Sequence, residues 1–144
     1  MKTRVMLVDD DRELCDTLSI GLARRGYDVR ALGSADEALE AAATSDVDVV
    51  VTDLNMRKVN GVQLCERLLA IRPGVPVIVL TAFGSLDTAV AAIRAGAYDF
   101  ISKPVEVDVL ALAIDRAERH RQLGEEVKRL RVEAGRAPRI DELI

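Results

Sequence analysis

Four acidic residues lie where short apolar runs of the sequence end. Asp9, Asp10 and Asp11 follow one such run, and Asp53 follows another. Carboxylates that crowd together repel one another, so either a cation lies between them or one of them keeps its proton. Mg2+ prefers oxygen ligands and accepts only one or two carboxylates beside several waters. We therefore expect a Mg2+ site formed by Asp10 and Asp53, with a loop carbonyl such as that of Asn55 as a further ligand.

Two more side chains with suitable chemistry end other apolar runs, namely Thr81 and Lys103. A metal-bound carboxylate, a hydroxyl and an ammonium are the parts needed for phosphoryl transfer to an aspartate. Asp53 would attack as the nucleophile, and Lys103 and the metal would neutralise the phosphoryl oxygens. Taken singly, these residues have simpler explanations, since acids commonly cap helices and Lys103 precedes a proline that favours a turn. Their joint occurrence at four strand ends favours the phosphoryl site.

The segments that must position these residues alternate between strand and helix patterns. The predicted strands are Val5–Val8, Tyr27–Leu32, Val47–Thr52, Pro76–Leu80 and Tyr98–Ser102, and the predicted helices are Glu13–Arg25, Ser34–Ala43, a third after Gly61, Leu86–Ala95 and a fifth from Glu106. Uninterrupted β-branched runs are typical of strands buried on both faces of a parallel sheet. We predict an α/β fold, a doubly wound five-stranded parallel sheet of flavodoxin-like order 2-1-3-4-5 flanked by five helices. The carboxyl ends of such strands form the ligand-binding edge.

The fifth helix is predicted to extend beyond the domain. A helix from Glu106 to about Ala134 would be roughly 40 Å long at 1.5 Å per residue. Its charged part favours pairs such as Asp115 with Arg119 and Glu125 with Arg129. Three apolar positions, Leu123, Val127 and Leu130, give barely one heptad, so a coiled coil and a lone frayed helix both remain open.

Composition and charge narrow the function classes. The chain has 144 residues and a net charge of -4, which fits one domain with an appendage and argues against nucleic-acid binding by this segment. Cys15 and Cys65 match no metal spacing and are expected to be reduced and buried. His120 is expected to be solvated. The N-terminal apolar run is too short for a signal peptide and no run approaches the length of a membrane span, so we expect a cytoplasmic protein without membrane contact.

The ordered set Asp9-Asp10, Asp53, Thr81-Ala82 and Lys103-Pro104 resembles the receiver domain of bacterial two-component response regulators over residues 4 to about 120. The resemblance implies that Asp53 accepts a phosphoryl group from a sensor histidine kinase. It implies Mg2+ ligation by Asp10, Asp53 and the Asn55 carbonyl, with Asp9 as a second acid and Lys103 as phosphoryl partner. It further implies a switch formed by Thr81 and Phe100, and a cis peptide bond before Pro104. Such a domain is no enzyme beyond its own phosphorylation and dephosphorylation.

The segments 81–90 and 96–100 are especially similar to regulators that activate sigma-54 RNA polymerase. This resemblance implies a receiver domain at 1–120, a helical and possibly dimerising linker at 121–138, and the start of an AAA+ ATPase domain at 139–144, with a DNA-binding domain to follow. A homodimer is expected through the linker helix, through the face formed by the fourth helix, fifth strand and fifth helix, or through both.

Three departures from the family pattern distinguish this chain. Arg57 replaces a proline after Met56, Phe100 replaces the common tyrosine, and Val105 replaces a phenylalanine. Arg57 and Val105 leave open a receiver-like module that signals without phosphorylation. A phosphatase of the haloacid-dehalogenase type uses similar groups, but its nucleophile belongs after the first strand in an Asp-x-Asp pattern. No phosphate-binding glycine motif is present, so hydrolysis of ATP by this segment is not expected.

Overall fold

Five parallel strands alternate with five helices along the chain. The strands are β1 (Arg4–Val8), β2 (Asp28–Leu32), β3 (Val49–Asp53), β4 (Val77–Thr81) and β5 (Asp99–Ser102), and the helices are α1 (Arg12–Arg24), α2 (Ala35–Thr44), α3 (Gly61–Ile71), α4 (Leu86–Arg94) and α5 (Val107–Arg136). The computed structural model describes residues 2–56, 61–82 and 86–136, without the side chains of residues 135 and 136. The sheet order is β2-β1-β3-β4-β5, which confirms the predicted fold.

The sheet is covered by helices on both faces, and this explains the uninterrupted apolar runs of its central strands. All residues of β3 and β4 are buried. Alternate side chains point to opposite faces, so Val50 contributes to the core beneath α2, α3 and α4, whereas Val51 contributes to the core beneath α1 and α5. β3 begins later and ends later than predicted. Its last residue is Asp53, which pairs with Leu80 and is thereby held by the ladder itself.

Polar side chains cap the first two helices. The carboxylate of Asp11 accepts a hydrogen bond from the backbone N–H of Leu14 at 3.2 Å, and the hydroxyl of Ser34 accepts one from Glu37 at 3.2 Å. Each satisfies a donor that the first turn of a helix leaves free. Asp11 therefore has the capping role that acids commonly play, which separates it from the other two acids of its run.

Helix α4 packs on the sheet through small residues. Ala89 and Ala92 are buried, whereas Leu86, Val90 and Ile93 share one face, as predicted, and that face is exposed. The larger side chains therefore lie on the surface because alanines already fill the space between helix and sheet.

Helix α5 is one continuous helix of 30 residues. Its length is about 45 Å at 1.5 Å per residue. Leu110, Ile114 and Ala117 pack on the sheet in its first half. Beyond them Glu118 is buried and Arg121 is half-buried, and residues 122–134 are exposed, so the predicted extension past the domain is confirmed as far as Arg136.

Side-chain contacts on α5 differ in part from the predicted ones. The pair of Asp115 with Arg119 is present at 3.0 Å. The predicted pair of Glu125 with Arg129 is wrong, because Glu125 contacts Arg121 and Arg129 contacts Glu126. His120 is exposed as expected, but its ring also contacts that of Tyr98, with 5.1 Å between ring centroids and an angle of 41° between the ring planes.

The two cysteines are free and buried, as predicted. Burial raises the pKa of both Cys15 and Cys65 to about 11 because it disfavours the thiolate. Both thiols therefore stay protonated at neutral pH. No helix in the described part of the chain combines the length and the apolar composition needed to cross a bilayer. Arg57, the end of the predicted linker (residues 137–138) and the predicted start of a further domain (residues 139–144) lie outside the described residues.

Candidate functional site

The carboxyl ends of β1, β3, β4 and β5 bring the predicted site residues to one edge of the sheet. Asp9 follows β1, Asp53 and Thr81 are the last residues of β3 and β4, and Lys103 follows β5. The backbone fixes them, since the N–H of Asp9 donates to the carbonyl of Leu32 at 3.1 Å and the N–H of Lys103 donates to the carbonyl of Thr81 at 2.7 Å. Four separate segments of sequence thus contribute to one site.

Three carboxylates form the centre of this site. Asp9, Asp10 and Asp53 each offer an oxygen, and these oxygens lie within 4.8 Å of one another. Asp9 and Asp53 are 2% and 4% exposed, whereas Asp10 is exposed. All three donors are oxygens, and the exposed side of the site is open to water, which fits Mg2+ because this ion keeps several water ligands. The site lacks the nitrogen or sulfur ligands that zinc prefers. The predicted metal ligands Asp10 and Asp53 are therefore together.

Backbone N–H groups orient two of these acids. Asp9 accepts a hydrogen bond from the N–H of Asp11 at 2.9 Å, and Asp53 accepts one from the N–H of Asn55 at 3.3 Å. Asn55 is thus held beside the nucleophile candidate through its own backbone. Its proposed ligand atom, the carbonyl, remains a prediction.

Lys103 lies between the two buried acids. Its Nζ is 3.4 Å from Asp9 Oδ2 and 3.4 Å from Asp53 Oδ1. The peptide bond between Lys103 and Pro104 is cis, as the family resemblance implies. Burial lowers the pKa of Lys103, but the charges of Asp53 and Asp9 outweigh it, so the pKa lies above its ordinary value. The ammonium therefore stays charged and offsets part of the repulsion between the carboxylates.

The surroundings of Asp9 raise its pKa. Burial raises the pKa of Asp9 above its usual value, and the charge of Asp53 adds to the effect, while the hydrogen bond from Asp11 and the charge of Lys103 oppose it. A dication at this site would favour the ionised form. The charge of Asp9 therefore depends on whether a cation occupies the pocket.

The two predicted switch residues, Thr81 and Phe100, differ in solvent exposure. Thr81 is 1% exposed and ends β4 beside the acids, whereas Phe100 on β5 is 37% exposed and pairs in register with Val79. Because they lie on neighbouring strands, a movement of the Thr81 side chain could be coupled to a movement of the Phe100 ring. That movement itself stays a prediction.

Gly61 is a residue whose importance the sequence analysis missed. It begins α3, and its N–H donates to the carbonyl of Leu54 at 3.0 Å. A Cβ atom there would lie 2.5 Å from the Cα of Leu54 and 3.0 Å from the carbonyl oxygen of Asp53. The start of α3 thus presses against the backbone that carries the nucleophile candidate. The only sequence signal was a glycine at a helix start, where capping residues are more usual.

Replacing Gly61 with Ala should lower the free energy of unfolding by about 1–3 kcal/mol, the usual effect of overpacking against rigid backbone. The matched control is Gly74→Ala, since a Cβ at Gly74 meets nothing within 4 Å. Denaturant unfolding of both variants gives the comparison. Equal stability of the two variants would show that the β3–α3 junction tolerates the extra atom.

Comparison with known proteins places this site in a family. The sequence pattern of the family described as response regulator receiver domain matches residues 5–115. The transcriptional regulatory protein GlrR of Escherichia coli is 42% identical over 113 residues, which are 78% of this chain and 26% of that protein. The C4-dicarboxylate transport transcriptional regulatory protein DctD of Rhizobium meliloti is 39% identical over 127 residues, 88% of this chain and 28% of that protein. The chain thus spans about a quarter of the length of these relatives.

Solved structures agree with the sequence comparison. NtrX from Brucella abortus superposes with a TM-score of 0.86 at 33% identity, covering 90% of this chain and 30% of that one. A CheY-like receiver domain from Methanospirillum hungatei superposes with a TM-score of 0.82 at 27% identity, covering 86% of this chain and 99% of that one. The predicted resemblance is confirmed. The chain, with its acids, threonine and lysine at one edge of a five-stranded parallel sheet, belongs to the family of response regulator receiver domains.

Proposed function

We propose that this receiver domain accepts a phosphoryl group on Asp53 from the phosphohistidine of a sensor histidine kinase. The observation that carries the proposal is the position of Lys103 Nζ, 3.4 Å from both Asp53 and Asp9 within a group of three carboxylates. The ammonium of a lysine in this position can neutralise negative charge both on the attacking carboxylate and on the oxygens of the transferred phosphoryl group.

The chemistry assigns one role to each residue. A carboxylate oxygen of Asp53 forms a bond to phosphorus, the bond from phosphorus to the imidazole nitrogen breaks, and the electron pair stays on that nitrogen. Lys103 donates hydrogen bonds to a phosphoryl oxygen, and the hydroxyl of Thr81 reaches another. Asp10, Asp53 and the Asn55 carbonyl would hold Mg2+, which supplies charge neutralisation when bound. Phe100 would then move inward as Thr81 vacates its place, and this shifts an existing equilibrium between two states.

A titration with beryllofluoride and Mg2+ tests this proposal against its main rival. Beryllofluoride imitates an aspartyl phosphate, so a phosphorylated receiver should bind it only in the presence of Mg2+ and change the chemical shifts of Thr81 and Phe100. A receiver-like module that signals without phosphorylation should show no response. Absence of any response in the folded protein would overturn the proposal.

The second alternative function, a phosphatase, is tested by measuring the hydrolysis of a small phosphate ester. The candidate nucleophile follows the third strand and not the first, so we propose that the chain acts only on its own aspartate. Incubation with a small phosphate ester should release no more phosphate than the buffer does. Sustained multiple turnover would assign the site to a hydrolase.

The wider role is proposed from the relatives. Because the matched relatives are about three times as long as this chain and are transcriptional regulators, we infer that the chain controls an AAA+ ATPase and a DNA-binding domain of the sigma-54 activator type. Residues 139–144 would begin the ATPase domain. The domain would act in the cytoplasm, where the kinase's catalytic part and the polymerase are, and would itself contact neither DNA nor membrane.

A homodimer is the proposed link between the receiver and these domains. At 3.6 residues per turn, Val109, Leu112, Leu123, Val127 and Leu130 lie along one side of α5, and all five are exposed. Phe100 lies on the edge strand β5, and α4 and α5 pack on opposite faces of the sheet. An apolar stripe of this length on a solvated helix fits a second copy of the same helix.

Replacing Leu123 and Leu130 together with Asp should therefore shift the protein toward monomer, because each charge would be buried in the helix pair. Val132→Asp is the matched control, since Val132 is equally exposed but lies on the opposite side of the helix from Leu130. The molecular mass in solution, measured with and without beryllofluoride and Mg2+, gives the result. An unchanged mass in the double variant would place any dimer contact elsewhere.

A further inference from the structure

A second cluster of charged side chains lies at the opposite edge of the sheet from the phosphoryl site. Its centre is Asp48, which directly precedes β3 and is 7% exposed. The backbone N–H of Arg4 donates to Asp48 Oδ2 at 2.8 Å. The guanidinium of Arg4 donates to both carboxylate oxygens, at 3.3 Å each. Asp48 therefore ties the starts of β1 and β3 together.

Helix α5 joins this cluster through Arg121. Its Nη2 is 3.4 Å from Asp48 Oδ1. Its Nε and Nη2 also donate to the two carboxylate oxygens of Glu118, at 3.0 Å and 2.6 Å, and its Nη1 donates to Glu125 at 2.8 Å. One guanidinium thus connects two turns of the linker helix to the base of the sheet.

The burial of this cluster separates it from an ordinary solvated charge run. The side chain of Arg121 is 19% exposed, whereas that of Arg119, two residues earlier on the same helix, is 74% exposed. Exposed ion pairs contribute little to stability, but a partly buried, bidentate network fixes geometry. Burial would raise the pKa of Asp48, yet the hydrogen bonds from Arg4 and the charges of Arg121 and Arg4 hold it below its usual value.

The same turns of α5 contain a weak point. Gly124 lies inside the helix, and nothing lies within 4 Å of the place where a Cβ would be. A glycine in a helix interior favours fraying, and this one lies between Arg121 and Glu125, which the network connects. The contacts of Arg121 therefore bridge the place where the linker helix would otherwise open.

We propose that Arg121 is a positioning residue that clamps α5 to the amino-terminal edge of the sheet, so that receiver and linker helix move as one body as far as Glu125. The clamp is fixed to the buried strand that also carries Asp53 at its other end, about 17 Å away at 3.3 Å per residue. A structural change at the surface of α4 and β5 would then change the orientation of a rigid helix. A flexible connection between domain and helix would not transmit that change. The purpose of the clamp rests on the proposed signalling function; its existence does not.

The test compares Arg121→Met with Arg119→Met. Both remove one arginine from the same helix, but only the first touches the sheet. In Arg121→Met, the amides from Gln122 to Arg129 should exchange at least about tenfold faster than in Arg119→Met, since local opening is limited by the contacts that close a segment. Arg121→Lys should restore part of the protection. Equal exchange in the two methionine variants would overturn the clamp.

A distance measurement separates positioning from general loss of stability. Spin labels are attached to cysteines introduced at the exposed positions Arg24 and Arg131, and the labelled protein is diluted with unlabelled protein so that only distances within one molecule are measured. The distance distribution should be narrow in the parent chain and broad with Arg121→Met. Cys15 and Cys65 are buried and protonated, so they escape the label. A narrow distribution with Arg121→Met would contradict the proposal. Beryllofluoride binding by both variants is a separate readout, and its absence would count against the phosphoryl site alone.

Discussion

Replacing Asp53 with Asn is expected to abolish phosphoryl acceptance. An amide has nearly the shape of the carboxylate but cannot act as the nucleophile, and loss of a catalytic nucleophile commonly slows a reaction by more than about 10³-fold. The fold should persist, because Asp53 lies at the end of a strand whose core contacts come from its neighbours. Incubation with radiolabelled acetyl phosphate and Mg2+ measures the effect.

The matched control for this experiment is Asp28→Asn. Asp28 is an exposed aspartate at the start of the edge strand β2, far from the carboxyl ends of the strands. It should be labelled as well as the parent chain. Labelling of the Asp53→Asn variant at the parent level, or label that resists both acid and base, would assign the reaction to another residue.

Replacing Lys103 with Met should impair both chemistry and stability. Loss of a preorganised charge at a reaction centre costs about 10²–10³-fold in rate, so labelling by acetyl phosphate should slow accordingly. Without the ammonium, the carboxylates of Asp9 and Asp53 would lie buried with no ion-pair partner among the residues that the structure describes. We expect the free energy of unfolding to fall by about 1–2 kcal/mol, a modest value for a buried charge pair because Lys103 is partly exposed.

The effect of Mg2+ on stability distinguishes repulsion between the carboxylates of Asp9 and Asp53 from a loss of side-chain packing as the cause of destabilisation in Lys103→Met. A dication bound among the acids should recover much of the lost stability in Lys103→Met, since it neutralises the same carboxylates. Lys128→Met, a change at an exposed lysine of α5, should alter neither rate nor stability. Denaturant unfolding with Mg2+ and with a chelator provides the comparison. A stability loss in Lys103→Met that Mg2+ leaves unchanged would contradict the electrostatic account of the pocket.

Much of the fold and site followed from the sequence because both depend on local patterns. The residues before Asp53 are Val49, Val50, Val51 and Thr52, a β-branched run typical of a strand buried on both faces, and right-handed crossovers then bring the carboxyl ends of the strands to one edge. That inference alone places Asp9, Asp53, Thr81 and Lys103 at the same edge of the sheet. The register that makes Asp53 the last paired residue of β3 shifted the predicted boundary without changing the site.

The features that the sequence did not predict depend on packing between distant segments. The charged run of α5 does not reveal that Arg121 turns inward to meet Asp48, 73 positions earlier in the numbering, and so the predicted partner of Glu125 was wrong. Gly61 is required by its close contact with the backbone of Leu54 at the end of β3. The outward face of α4 follows from alanines filling the space beneath it. Each of these depends on which surface is already occupied.

Locating the phosphoryl group on the unmodified chain tests the central claim most directly. The protein is incubated with acetyl phosphate and Mg2+, the acyl phosphate is reduced with borohydride, and the peptides are analysed by mass spectrometry. We predict that the peptide containing Asp53 carries homoserine at that position and that omission of Mg2+ prevents it. Homoserine at any other aspartate, or none at all in folded protein that binds Mg2+, would contradict the assignment of Asp53 as the phosphoacceptor.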